Sequence, residues 1–203
     1  MGRRVLLATG NHKKLEELRR LVIDADIEVV GLADVAGYPA PVEDDPTFEG
    51  NALIKARAAV AATGIPSLAD DSGLEVDVLN KMPGVRSARW SGPDQNDDTN
   101  NALLLAHLFD VPVARRRARF VCAVALVLPD GREHVERATF EGVLIDELRG
   151  VNGFGYDPLF LPDGQTQTSA ELTAARKDEI SHRGKAMRAI VPVLIGRSEG
   201  VRS

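Results

Sequence analysis

Apolar and polar residues alternate along Leu74-Glu75-Val76-Asp77-Val78, the period of a half-buried strand. Its approach, Leu68-Ala69, runs straight into Asp70-Asp71-Ser72-Gly73. The pattern therefore places two adjacent carboxylates at a strand end or at a break between two strands, with Gly73 permitting a turn. Upstream, Arg4-Val5-Leu6-Leu7-Ala8-Thr9 reads as a buried first strand. After Gly10-Asn11-His12-Lys13-Lys14 the period becomes helical, with Leu15, Leu18, Leu21 and Val22 on one face. A second strand is predicted over Glu28 to Val30, then a Pro- and acid-rich loop from Asp34 to Pro46. From Thr47 a helix is expected, because Ala52, Leu53, Ala56, Ala59 and Val60 hold helical spacing and suit close packing. Asp97-Asp98-Thr99 offer N-caps for a helix bearing Leu103, Leu104 and Leu108. The run Arg115-Arg116-Arg117 is expected to be a solvated entrance to the apolar stretch Phe120 to Leu128. Pro129-Asp130-Gly131 then predicts a hairpin turn and an antiparallel return strand from Glu133, which makes the sheet mixed. Thr168-Ser169-Ala170-Glu171 matches a capping box. Ser181 to Lys185 precede a last helix built on Ala186, Met187, Ile190 and Leu194, kinked or ended at Pro192.

Composition narrows the class. A chain of 203 residues fits a single domain, residues 1–203, with two lobes. A net charge of -5 leaves no global basic footprint, so no nucleic-acid partner is expected. No window approaches the apolar length of a membrane span, and Val5 to Ala8 is too short for a signal-peptide core. The single Cys122 has no second thiol in the chain to bridge to, which fits a reducing compartment. The expectation is a cytoplasmic protein.

Four clusters carry candidate chemistry. The turn from Gly10 to Lys14 follows a strand and opens a helix, where backbone N–H groups, the helix dipole and Lys14 suit a phosphate. It lacks the spaced second glycine and Lys-Ser/Thr pair of a Walker loop; phosphate binding is favoured, with a plain left-handed turn and solvated lysines as the alternative. Asp70 and Asp71 point to opposite faces of a strand, so one would face the chemistry while backbone donors or a cation hold the other. The same tetrapeptide also suits a self-capped turn. Glu43 and Glu49 are the nearest other acids that could share a cation with this pair. The loop Gly150-Val151-Asn152-Gly153-Phe154-Gly155-Tyr156-Asp157-Pro158 joins a flexible backbone to two aromatics. A ring there could stack on a base, a contact of roughly 1–3 kcal/mol. Ser181-His182-Arg183 could aim donors at an anion or a carbonyl oxygen, although His182 alone reads as a capping or packing histidine.

In this order and at these spacings, Gly-Asn-x-x-Lys, Asp-Asp-Ser-Gly, Gly-Phe-Gly-Tyr-Asp-Pro and Ser-His-Arg closely resemble the inosine triphosphate pyrophosphatase family, from Val5 to Ile195. The resemblance implies an α/β fold: a long, mixed, twisted sheet flanked by helices, with two lobes and a central cleft. It implies a Mg²⁺-dependent homodimer that hydrolyses ITP, dITP and XTP to the monophosphate and pyrophosphate. Thr9, Gly10, Asn11, His12, Lys13 and Lys14 would hold the triphosphate. Asp71 would be the general base and share in the metal, with Ser72 beside it on the substrate. Phe154, Gly155, Tyr156 and Asp157 would enclose the base, Phe154 by stacking, and Lys177, His182 and Arg183 would complete the pocket. The chain departs from its relatives at Phe48-Glu49-Gly50-Asn51, where Phe-Glu-Glu-Asn is common, and in a shorter acidic loop. The second metal carboxylate is therefore open between Glu43 and Glu49. Two other readings compete: a hydrolase of another nucleotide on the same scaffold, and a nucleotide-binding module without turnover.

Overall fold

The computed structural model describes residues 3–10, 12–23 and 27–195, apart from the side chains of Arg3, His12, Lys13, Glu17 and Leu21. The elements run β1 (Arg3–Leu7), α1 (His12–Leu21), β2 (Ile27–Val30), α2 (Phe48–Thr63), β3 (Ser67–Val76) and α3 (Asp97–His107). They continue with β4 (Arg117–Val127), β5 (Glu133–Leu144), β6 (Phe160–Pro162), α4 (Ala174–Ile180) and α5 (His182–Leu194). The strands hydrogen-bond in the order β2-β1-β3-β4-β5-β6. β1 is parallel to both β2 and β3, whereas β5 and β6 are antiparallel, so the sheet is mixed as the hairpin signal predicts. Leu128 N–H donates to the Arg132 carbonyl at 2.9 Å across that hairpin, and Gly131 supplies the positive φ of 86°. No helix among the described residues is long and apolar enough to cross a membrane.

The chain divides into two compact units. The first comprises Met1–Asp71, Cys122–Ala138 and Arg183–Ser203. Its core gathers Val5 and Leu7 of β1, Leu15, Leu18 and Val22 from the α1 stretch, Leu68 of β3, Val124 and Leu126 of β4, and Ala186, Met187 and Ile190 of α5. Each large side chain so buried contributes about 1.5–3 kcal/mol. The helical face read at Leu15, Leu18 and Val22 is the buried one; the side chain of Leu21 lies outside the described residues. Thr47 caps α2 by accepting from Gly50 N–H at 3.0 Å, and the left-handed Gly64 ends it. Ala52, Ala56 and Ala59 are fully buried.

The second unit comprises Ser72–Val121 and Thr139–His182. Leu74 and Val76, Leu104 and Leu108, Phe120, Phe140, Leu144, Tyr156, Leu159 and Phe160 form its core. Phe160 packs tilted against Phe120 and Phe140, with ring centroids 4.7 and 5.4 Å away.

Several local expectations need correction. β3 runs unbroken through Asp70-Asp71-Ser72-Gly73, and Gly73 is not among the glycines with positive φ. A strand tolerates the paired acids because each one, pointing its own way, meets a cation. The cap of α3 is Asn96, which accepts from Thr99 N–H at 3.0 Å, so Asp97 and Asp98 lie inside the first turn. Arg116 is buried and donates from Nε to the Val111 carbonyl at 2.8 Å, so the basic run is not wholly solvated. Glu171 does accept from Thr168 N–H at 2.7 Å, but the pair closes a turn and α4 starts at Ala174 under Thr173. His182 and Arg183 open α5 instead of preceding it, and the helix continues past Pro192 to Leu194.

Candidate active site

In the first unit, β1 leads through Thr9 and Gly10 into α1, whose first full turn carries Lys14. Asn11 lies outside the described residues, as do the side chains of His12 and Lys13. Thr9, Gly10 and Lys14 line a cavity of about 290 Å³ together with Tyr38, Glu43, Lys55 and Asp70. Lys14 Nζ donates to Asp70 Oδ2 at 2.7 Å, and Arg183 Nε approaches the same oxygen at 3.4 Å. The Asp70 side chain is fully buried, and its Oδ1 has no hydrogen-bond partner among the described residues. Burial alone would raise its pKa, but the charges of Lys14 and Arg183 hold it well below the usual carboxylate range. Two cations against one anion leave this trio with a net positive charge, and its member Lys14 lines the cavity, which suits a polyphosphate.

Asp71 makes its own contacts. Lys55 Nζ lies 3.4 Å from Asp71 Oδ1 and donates to Glu43 Oε2 at 2.8 Å. Asn51 Nδ2 donates to Asp71 Oδ2 at 3.3 Å. Asn51 and Lys55 are four residues apart on α2, hence on one face. The Asn51 amide is oriented by Asp45, whose N–H it accepts at 3.0 Å and whose carbonyl it donates to at 3.1 Å. Asp45 also explains the departure at Gly50, because a Cβ there would collide with the Asp45 carboxylate. Burial raises the pKa of Asp71; Lys55 opposes the shift, and the charges of Glu43 and Asp70 add to it. A carboxylate so placed is a stronger base than an ordinary one. Lys55 has a raised pKa despite its burial, since Asp71 and Glu43 both favour its charged form. Glu49 instead pairs with Arg137 at 3.2 Å. Among the described residues, no three His, Cys, Asp or Glu side chains come together as a metal site. Ser72 follows on β3, half-buried, as the first residue of the second unit.

The second unit holds the aromatic loop. Gly150, Gly153 and Gly155 all have positive φ, and a Cβ on Gly153 would strike the Asp157 carboxylate. Asp157 Oδ2 accepts Phe154 N–H at 2.9 Å and forms an ion pair with Lys177, whose Nζ stands 5.4 Å from the centre of the Phe154 ring. Phe154 keeps 39% of its surface exposed. Tyr156 does not stand beside it as a second wall. Its ring lies in the core, its hydroxyl donates to the Ser87 carbonyl at 2.9 Å, and burial raises its pKa. His182 stacks on Phe120 with centroids 5.1 Å apart, the packing role its sequence context also allows.

The structure thus gathers Thr9, Gly10, Lys14, Asp70, Asp71 and Arg183 in one unit, and Phe154, Gly155, Asp157 and Lys177 in the other. Sequence reasoning missed Asn51 and Lys55. Their signal is a polar pair four residues apart on an alanine-rich helix.

The sequence profile described as the Ham1 family matches residues 5–193. The chain is 59% identical to the dITP/XTP pyrophosphatase of Cutibacterium acnes, over 97% of its own length and 98% of that relative. Among solved structures, it is similar to the nucleoside-triphosphatase / dITP/XTP pyrophosphatase of Mycobacterium abscessus, with 52% identity and a TM-score of 0.78 over 93% of this chain and 99% of that one. A HAM1 protein from Coxiella burnetii aligns with a TM-score of 0.89 and 37% identity, over 96% and 99% of the two chains. On a match that spans nearly its whole length, as the four motifs imply, the chain belongs to the Ham1 family.

Proposed function

We propose that the chain hydrolyses ITP, dITP and XTP to the nucleoside monophosphate and pyrophosphate. The observation that carries this reading is Asp71: a carboxylate of raised pKa, oriented by Asn51, beside the ammonium of Lys55. The names of its relatives point to the same activity for them. In the reaction, Asp71 takes a proton from water as the water oxygen attacks the α-phosphorus. The bond to the bridging oxygen breaks, and pyrophosphate leaves with the electron pair. Lys14 and Lys55 offset charge on the phosphoryl oxygens, where fixed cations act most strongly. A nucleotide-binding module would gain nothing from carboxylates beside its anion, so turnover is favoured over binding alone.

The donor set fits Mg²⁺. This ion takes one or two carboxylates and fills its remaining positions with phosphate oxygens and water. Glu43 and Asp71 both reach one ammonium and so can share one cation, whereas Glu49 is engaged by Arg137. We assign Glu43 and Asp71 as the residues that would hold Mg²⁺, which when bound neutralises phosphate charge. Base recognition is assigned to Phe154, as a stacking platform, and to Lys177, a donor beside it that suits a 6-keto oxygen better than a 6-amino group. With Arg183 turned to Asp70 and His182 stacked on Phe120, we give those two residues a framing role. A homodimer and a cytoplasmic setting complete the proposal, supported by the family resemblance and, for the setting, by the single cysteine.

A panel of triphosphates with Mg²⁺, assayed for both pyrophosphate and orthophosphate, tests the reading. ITP, dITP and XTP should exceed ATP in kcat/KM by roughly two orders of magnitude or more, since mispaired buried donors are costly. Pyrophosphate should be the primary product. Equal rates for ITP and ATP, or diphosphate and orthophosphate as products, would count against it. The pH profile gives a second test. Asp71 must be ionised to act, so kcat/KM should fall on the acid side as Asp71 takes up a proton, and because bound Mg²⁺ favours the carboxylate the limb should move to lower pH as Mg²⁺ is raised. A limb that does not move with Mg²⁺ would mean that another group is the base.

A further inference from the structure

Helix α3 carries two side chains that the chemistry does not call for. Asp97 and Asn101 are four residues apart and share one face of the helix. Asp97 Oδ2 accepts the N–H of Gly155 at 2.7 Å, and Asn101 Nδ2 donates to the Gly155 carbonyl at 3.0 Å. One helix therefore grips both backbone groups of the residue that follows Phe154. Gly155 has a φ of 63°, so it sits where the chain turns out of the loop and sets the direction in which Phe154 leaves it.

The mount itself is firm. Leu104 is fully buried, and Asn100 donates to the Ala88 carbonyl at 3.0 Å while accepting from Ser91 N–H at 2.7 Å. The neighbours of Gly155 are fixed as well. Phe154 N–H goes to Asp157, and the Tyr156 hydroxyl goes to the Ser87 carbonyl. Three successive residues are thus tied down, yet Phe154 keeps 39% of its surface open. A core aromatic would be covered. A clamped backbone with its ring left out is how a stacking platform is preorganised, and it spares the ligand the entropy of ordering a glycine-rich loop.

We infer that Asp97 and Asn101 are positioning residues for the purine, holding the Gly155 peptide so that Phe154 is presented to the base. The inference rests on the reading of Phe154 as the base platform. It places the effect of these residues on KM, because they touch neither the phosphates nor the water.

The test uses the full chain and four single variants: Asp97→Ala, Asp97→Asn, Asn101→Ala and Phe154→Ala, with the double variant Asp97→Ala/Phe154→Ala. The measurements are kcat and KM for ITP, inhibition by tripolyphosphate, which has no base, and thermal melts. Asp97→Ala should raise KM for ITP about 5–10-fold, the worth of one charge-assisted hydrogen bond at an exposed position. Its kcat should stay within about twofold, and tripolyphosphate should inhibit as before. Asp97→Asn keeps an acceptor oxygen but not the charge and should restore part of the loss, again in KM and not in kcat. Without the Phe154 ring, Asp97→Ala should add nothing further. Asn101 is buried; if Asn101→Ala fails to fold, the exposed Asp97 pair decides. An unchanged KM in Asp97→Ala beside a raised one in Phe154→Ala would overturn the inference and leave the platform standing. An unchanged KM in Phe154→Ala would remove the platform reading and the inference with it.

Discussion

Asp71→Asn should lower kcat for ITP by roughly 10²–10⁴-fold, the range that a general base supplies. The substitution keeps the shape of the side chain and its place beside Asn51 and Lys55, but removes its basicity and charge. Nucleotide affinity should change much less, because Lys14, Lys55, Lys177 and the Phe154 ring remain. Loss of one carboxylate would also weaken Mg²⁺, so raising its concentration should restore the binding part of the defect and not the rate. The fold should not suffer. The pKa of Asp71 is raised in the folded chain, so its ionised form opposes folding at every pH above that folded value. Removing the charge should therefore leave the melting temperature at neutral pH unchanged or higher. An Asp71→Asn enzyme with the parent's kcat would end the assignment.

Asp70→Asn should give the opposite pattern, with a loss of stability of about 3 kcal/mol or more, as expected when one partner of a buried ion pair is removed. Lys14 and Arg183 would be left facing each other without the anion between them. The pH dependence has a definite sign. The folded pKa of Asp70 is depressed, so its stabilisation is complete above the unfolded value of about 3.9 and is lost as pH falls towards the folded one. The stability gap between parent and variant should be widest near neutrality and narrow below about pH 4, read from denaturant titrations across that range. A variant as stable as the parent but without activity would move the chemistry from Asp71 to Asp70.

These contrasting fates of neighbouring acids were legible in the sequence, because a period of two sends adjacent strand residues opposite ways. The unbroken strand was not. Gly73 and Ser72 look like turn residues, and only the cations waiting on each side show why no turn is needed. Those cations come from far along the chain: Lys14 is 56 residues from Asp70, and Arg183 is 113 residues away. Periodicity carries no information at such separations. Arg183 therefore reads as a donor to the ligand, and its contact with Asp70 has no signal in the sequence. The aromatic loop was recognised by its glycines, but composition could not divide its two rings. Tyr156 has a polar tip that finds Ser87 and goes into the core, whereas Phe154 stays out. The helix boundaries at Asn96 and Thr173 were shifted by one and five residues from the signals nearest to them, Asp97 and Thr168, because several side chains in each stretch could cap and only packing selects one.

Hydrolysis of ITP in oxygen-18-labelled water tests the central claim, attack of water on the α-phosphorus, most directly. Mass spectrometry of the products reports which fragment gained the label. The account predicts one labelled oxygen in the monophosphate and none in the pyrophosphate. Label in the pyrophosphate would mean attack at the β-phosphorus, and label in orthophosphate would mean attack at the γ-phosphorus; either result would contradict it.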